Sequence, residues 1–174
     1  MVDPLSFPVL AGAALNQAFN FLFGRLAHTL DSRDDHDQED VEQIAVPAVV
    51  RGELGPVTAT SAVVEARLPE IQELVGTLSV YERKPERLDG TDAAVRADLA
   101  RARELLEQIY GKRITFHGEE RPGTGARVEQ RIEVLANEAI GIRASRVRSA
   151  DVTQVVGQVR TGGSIIGIDG DDIG

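Results

Sequence analysis

Apolar and polar positions divide the chain into stretches of different character. From Pro4 to Gly24, inside "DPLSFPVLAGAALNQAFNFLFGRLAHTL", no side chain is charged. Leu15, Phe19, Leu22, Phe23, Leu26 and Leu30 fall on a helical period, with Asn16, Gln17, Asn20, Gly24 and His28 gathered opposite. The spacing predicts an amphipathic helix over 3–31 whose polar face is built from neutral amides. Asp3 or Ser6 suits its N-cap, and Pro4 or Pro8 its first turn.

Seven of the twelve residues in "DSRDDHDQEDVE" (31–42) are acidic. Like charges at that density repel, so a solvated linker is expected, setting the helix apart. The predicted organisation is a helix over 1–30, an acidic linker over 31–43 and a compact domain over 44–174. Val- and Thr-rich "IAVPAVVRGELGPVTATSAVVEAR" (44–67) predicts two or three short strands, with a turn near Gly52–Pro56 and Pro47 marking an edge. A helix is expected from Pro69 to about residue 80, on Ile71, Leu74, Val75 and Leu78. A second spans 92–110, with Asp92 as N-cap, Gly111 as stop, and a stripe of Val95, Leu99, Ala102, Leu105, Leu106 and Ile109. Arg and Glu alternate over its other face. "KRITFHGE" then predicts a strand and "ERPGTGA" a loop.

The last 48 residues hold a degenerate tandem repeat. "VEQRIEVLANEAIGIRASRV" from Val128 aligns with "VTQVVGQVRTGGSIIGIDGDDI" from Val152, offset by 24 residues at Gln130 and Gln154 and by 26 at Gly141 and Gly167. Val128, Gln130, Ile132 and Val134 alternate with charged residues, the pattern of a half-buried strand. Each copy predicts strand, turn ("ANEA", "RTGGS") and strand. Two arrangements satisfy this: a pair of hairpins packed on helix 92–110, which ranks first, or two coils of a β-solenoid with Gln130 over Gln154. In the second, open ends recruit further chains.

Composition narrows the function classes. Hydrophobic residues make up 42% of the chain and charged residues 27%, ordinary for a globular domain. A net charge of −9 argues against a nucleic-acid partner and against electrostatic attraction to anionic lipid. There is no Cys, which removes disulfides, thiolate chemistry and Cys-based zinc sites and fits a reducing cytoplasm. The acidic opening "MVDP" is unlike a secretory signal.

No local motif for catalysis or cofactor binding emerges. His28, His36 and His117 lie on different elements without metal-ligand spacing, and "DDHDQED" around His36 lacks the glycine and ligand pattern of a calcium loop. "GTGAR" and "GDDIG" are not phosphate loops. Glu119 and Glu120 beside Arg121 are expected as exposed turn charges. No catalytic, cofactor or metal residue is therefore assigned, and the chain is expected to be non-enzymatic.

Three readings of the N-terminal helix stay open. It docks a partner or its own copies, it fills the core, or it enters a membrane, for which about 20 apolar residues suffice. Asn16, Gln17 and Asn20 oppose insertion, and the acidic linker opposes a core role, so docking ranks first.

The apolar helix opening "DPLS" and the terminal "VTQVVGQV" and "SIIGID" repeats resemble bacterial conflict-system proteins. These have an N-terminal cell-death-type helical region and a C-terminal amyloid-like signalling motif. The resemblance covers about the first 30 and last 25 residues. It implies a terminal motif that templates β-stacking with a sensor and a helical region that attacks membranes. It departs from that pattern where strands, not further helices, are expected after residue 44.

The expected fold is α+β: a detached N-terminal amphipathic helix, two further helices on a mainly antiparallel sheet, and a C-terminal tandem β repeat. The expected function is a cytoplasmic assembly or adaptor protein that oligomerises or docks a protein partner through Leu15, Phe19, Leu22, Phe23 and Leu26. The alternative is a membrane-active effector whose helix inserts after C-terminal stacking.

Overall fold

In the computed structural model, residues 7–32, 41–135, 138–143, 146–147, 150–159, 164–169 and 172–173 are described. Three helices form the body: α1 (Gly12–Asp31), α2 (Ser61–Arg83) and α3 (Ala93–Tyr110). The boundaries of α3 follow its capping chemistry. The Asp92 carboxylate accepts from the Ala94 backbone N–H at 2.8 Å, and Gly111 closes the helix in the left-handed region at φ 60°. Its whole expected stripe, Val95, Leu99, Ala102, Leu105, Leu106 and Ile109, is buried.

Helix α1 is not detached. It packs against both α2 and α3, and Leu22 and Leu26 are 0% exposed. Phe19 stacks on Phe23 at 5.5 Å and meets the edge of Tyr81 from α2 at 6.4 Å. The apolar stripe that invited a partner is thus matched within the chain. After the acidic run, whose residues 33–40 lie outside the described ones, the backbone comes back to α1 at Glu42. The helix also begins later than expected, at Gly12 with Ala11 as N-cap. Phe7 and Leu10 precede it in non-helical backbone and are buried, with Phe7 5.1 Å from Phe116.

Helix α2 corrects a second expectation. "SAVVEAR", expected as strand, forms its first two turns, and Pro69 lies inside it. Val64, Ile71, Leu74 and Leu78 are its buried residues, so the helical period extends upstream of the proline. A proline there costs about 3 kcal/mol in a bare helix. Packing of apolar residues on both sides of it against the bundle offsets that cost.

The strands β1 (Glu42–Gln43) and β2 (Pro56–Val57) pair antiparallel, and positive φ at Gly52 and Gly55 turns the chain between them. Residues 44–50, expected as strand, contribute only a bridge from Val50 to Phe116. Strand β3 (Lys112–Arg113) pairs antiparallel with the start of β4 (Gly125–Leu135). With three helices and small antiparallel pairs, the fold is α+β.

Beyond β3 the pairing is parallel, not mainly antiparallel as expected. β4 pairs with β7 (Ala150–Val159), β5 (Glu138–Arg143) with β8 (Ser164–Asp169), and β6 (Arg146–Val147) with β9 (Asp172–Ile173). A hairpin would pair neighbouring strands; here each strand pairs with the one about one repeat length further on. The turns expected at "ANEA" and "RTGGS" fall partly outside the described residues.

Two substitutions test this packing. Leu22→Ala should destabilise the chain by about 2–5 kcal/mol, because α1 belongs to the core. Gly90→Ala should lower the melting temperature, since a Cβ there would stand 1.8 Å from the Leu10 carbonyl oxygen. Thermal denaturation followed by helical circular dichroism reads both. A docking helix would instead leave Leu22→Ala as stable as the native chain.

Candidate functional site: a buried arginine–glutamate network at the root of the parallel strands

The loop 117–124, between β3 and β4, collects an unusual density of buried charge. Arg103 and Glu107 come from α3, are 1% and 4% exposed, and reach this loop from its helical side. Arg103 pairs with Glu119, whose second carboxylate oxygen accepts from the Phe116 backbone N–H at 2.6 Å. Glu107 accepts from Arg121 at 2.8 Å and from the Ile114 backbone N–H at 2.8 Å. The Arg103 guanidinium also lies over the Phe7 ring, 5.8 Å from its centroid.

Further donors clamp the loop backbone. Arg113 donates to the carbonyls of Pro122 and Gly123 at 2.9–3.1 Å. Arg51 donates to the Glu119 carbonyl at 3.2 Å and to that of Arg121. The Thr115 hydroxyl donates to the Pro122 carbonyl at 2.7 Å, and its backbone N–H to the Thr124 hydroxyl at 3.0 Å. The loop therefore delivers Gly125 to β4 in a fixed position, opposite Arg113 of β3.

Burial pulls the Arg103 pKa below the usual guanidinium value, while Glu119 and Glu107 act in the opposite direction. An arginine stays charged under such opposition. Both oxygens of Glu119 and the bonded oxygen of Glu107 are engaged by donors that favour the ionised form. Holding carboxylates charged and occupied fits them to position a loop. The expectation that Glu119 is an exposed turn charge is corrected: its side chain is 6% exposed.

A smaller cluster closes the far end of α1. Arg25 donates to Glu42 at 2.8 Å and to the Tyr110 hydroxyl at 3.1 and 3.2 Å. The hydrogen bond from Arg25 holds the Glu42 carboxyl below the usual carboxylate range. Lys112, whose ammonium pKa is lowered by burial, donates to the Leu54 carbonyl at 2.8 Å and to that of Pro56.

Leu15, Phe19, Leu22 and Leu26, expected as docking anchors, are core residues, and Phe23 is half-buried against them. Gln130 and Gln154 are register partners in the β4–β7 ladder. His36 lies outside the described residues. Among the described residues no group of His, Cys, Asp and Glu has the arrangement of a metal site. Arg103 and Glu107 escaped notice because α3 looked polar opposite its stripe. Their signal was positional: Leu99, Arg103, Leu106 and Tyr110 recur at i, i+4, i+7 and i+11, so Arg103 stands inside the apolar arc. No protein-family model, curated protein or solved structure matches the chain.

Removing one member of the buried pair should be costly. Arg103→Leu leaves the Glu119 carboxylate buried without its cation and should cost about 3–5 kcal/mol. Adding Glu119→Gln should recover part of that loss, and urea denaturation of the two variants measures the difference. The Glu42 prediction concerns acid. Because its folded pKa is depressed, the stability it contributes is complete above the ordinary carboxylate value of 4.5 and is lost as pH falls through the lower folded value. Glu42→Gln should therefore flatten the dependence of melting temperature on pH below 4.5 and leave the rest of the profile unchanged.

Proposed function

We propose that the chain is a non-enzymatic assembly protein whose C-terminal strands form a two-rung β-solenoid that stacks on further copies of the same repeat. The first rung is β4, β5 and β6; the second is β7, β8 and β9. The observation that carries the reading is the register. Nine aligned positions join β4 to β7, and the order of the strands is repeated in the β5–β8 and β6–β9 ladders. A parallel ladder that pairs repeat with repeat offers the next repeat the same template.

Like residues meet at several pairs: Val128 with Val152, Gln130 with Gln154, Ile140 with Ile166 and Ile142 with Ile168. Two rungs bury little on their own, and strand edges left unpaired favour addition of another strand. The resemblance to conflict-system proteins with an amyloid-like terminal motif points the same way. Docking through α1 gains no support from a helix whose apolar face is already covered. Nor does the membrane-active alternative, since among the described residues no helix is long and apolar enough to cross a membrane. Cytoplasmic placement remains part of the proposal.

The test is molar mass by light scattering over a concentration series, comparing the native chain with Gln154→Pro. A proline in mid-β7 removes a ladder hydrogen bond and leaves the helical body intact. The native chain should assemble above a threshold concentration with a gain of β signal, and Gln154→Pro should stay monomeric with unchanged helical circular dichroism. A native chain that is monomeric throughout the series overturns the proposal.

A further inference from the structure

The register that pairs like apolar residues treats charge differently. Arg127 is aligned with Asp151, Arg143 with Asp169, and Arg146 with Asp172. Each of the three ladders thus contributes one such pair. The remaining charged positions of the first rung, Glu129, Arg131 and Glu138, stand opposite Thr153, Val155 and Ser164. No aligned pair brings like charge to like. The first rung carries the arginines and the second the aspartates.

Each rung has an edge without a strand among the described residues. β7 is the edge strand of the order β3-β4-β7, and β3 covers only Gly125 and Ala126 of β4. β5 and β8 form one two-stranded ladder, and β6 and β9 another. The free edge of the second rung therefore carries the aspartate positions and that of the first rung the arginine positions.

We infer that this chain stacks with a fixed polarity, the aspartate-bearing second rung of one copy meeting the arginine-bearing first rung of the next. The inference rests on the assembly reading above and adds direction and partner choice to it. In that head-to-tail arrangement the register within a chain is repeated between chains, and Arg–Asp alignment continues without a break. Joining two second rungs would set Asp151, Asp169 and Asp172 against another set of acids, on a chain already at net charge −9. Joining two first rungs would crowd Arg127, Arg143 and Arg146. Opposite charges on neighbouring strands favour pairing and like charges oppose it. A heterologous contact of this kind does not close on itself, so it produces an open stack.

A charge-exchanged chain tests the polarity. It carries Arg127→Asp, Arg143→Asp and Arg146→Asp together with Asp151→Arg, Asp169→Arg and Asp172→Arg. Pairing within the chain and net charge are preserved, and only the identity of the two ends is reversed. Native and exchanged chains, labelled with different fluorophores, are mixed and followed by energy transfer. Head-to-tail stacking predicts self-sorting: each assembles with its own kind, and mixed stacks are suppressed about threefold to hundredfold, the range for three opposite-charge cross-strand pairs. Preferential mixing would show that like ends meet and would overturn the inference. Indiscriminate mixing would also overturn it, by showing that charge does not select.

A second measurement needs only the native chain, should the exchanged one not fold. Raising sodium chloride from about 0.03 to 0.3 M screens exposed pairs. The threshold concentration should rise if Arg meets Asp between copies. It should fall if acid meets acid, which overturns the inference. A native chain that never assembles at either salt concentration sinks the assembly reading and the polarity with it. Assembly with the wrong mixing pattern sinks the polarity alone.

Discussion

A guanidinium and a carboxylate buried together, Arg103 with Glu119, fix the junction on which both parts of the molecule depend. The arginine belongs to α3 and the glutamate to the loop that starts β4. Neither charge would be stable in that position alone, because removing an ion from water costs more than any single hydrogen bond returns. The cost is met collectively. Glu119 takes the Phe116 backbone N–H, Glu107 takes Arg121 and the Ile114 N–H, and Arg51 and Arg113 occupy carbonyls of the loop. Such a network selects one geometry, since partial satisfaction of buried polar groups is worse than none. The direction in which β4 leaves the helical body is the geometry selected.

That junction changes the meaning of the acidic run. A charged linker beside an apolar helix suggests a helix held at a distance for use elsewhere. The chain instead returns, and Arg25 of α1 grips Glu42 immediately beyond the run. Acidic residues there need not separate α1 from the body. They are compatible with a loop that leaves and rejoins the same surface. The apolar face of α1 then completes the core made by α2 and α3, and the proposed seat of assembly moves from the N-terminus to the repeated strands.

The two parts are organised by different physics. The helical body is held by irregular packing of Leu, Ile, Val and Phe, in which each residue has neighbours unlike itself. The repeated strands are held by translation: the chain advances by 24 to 26 residues and meets itself in register. The two-residue slip between β4–β7 and β5–β8 is accommodated between strands, in the segment where "EVLANEAIG" faces "VGQVRTGGSIIG". Regularity of that kind has no internal reason to stop at two turns, whereas the core of the body is complete within one chain.

Sequence alone determined what depends on near neighbours. The span, cap, stop and buried stripe of α3 were legible because Asp92, Gly111 and a 3.6-residue period act within a turn or two of the helix. The Gln130–Gln154 alignment was legible because repetition is itself a sequence property. The 24- and 26-residue Arg–Asp spacings were equally present, at Arg127 and Asp151 and at Arg143 and Asp169. They acquire meaning only once the strands are known to lie parallel. What tertiary structure decided was which surfaces meet. Val63 and Val64 joined a helix against their β-branched preference, because packing on the bundle outweighs a local bias of a few tenths of a kcal/mol, roughly, per residue. Likewise α1 found its partners in α2 and α3, and Arg103, Glu107 and Glu119 became interior charges. An apolar stripe or a charged side chain carries no label for its partner, and the free energy that assigns one arises only when distant parts of the chain share a core.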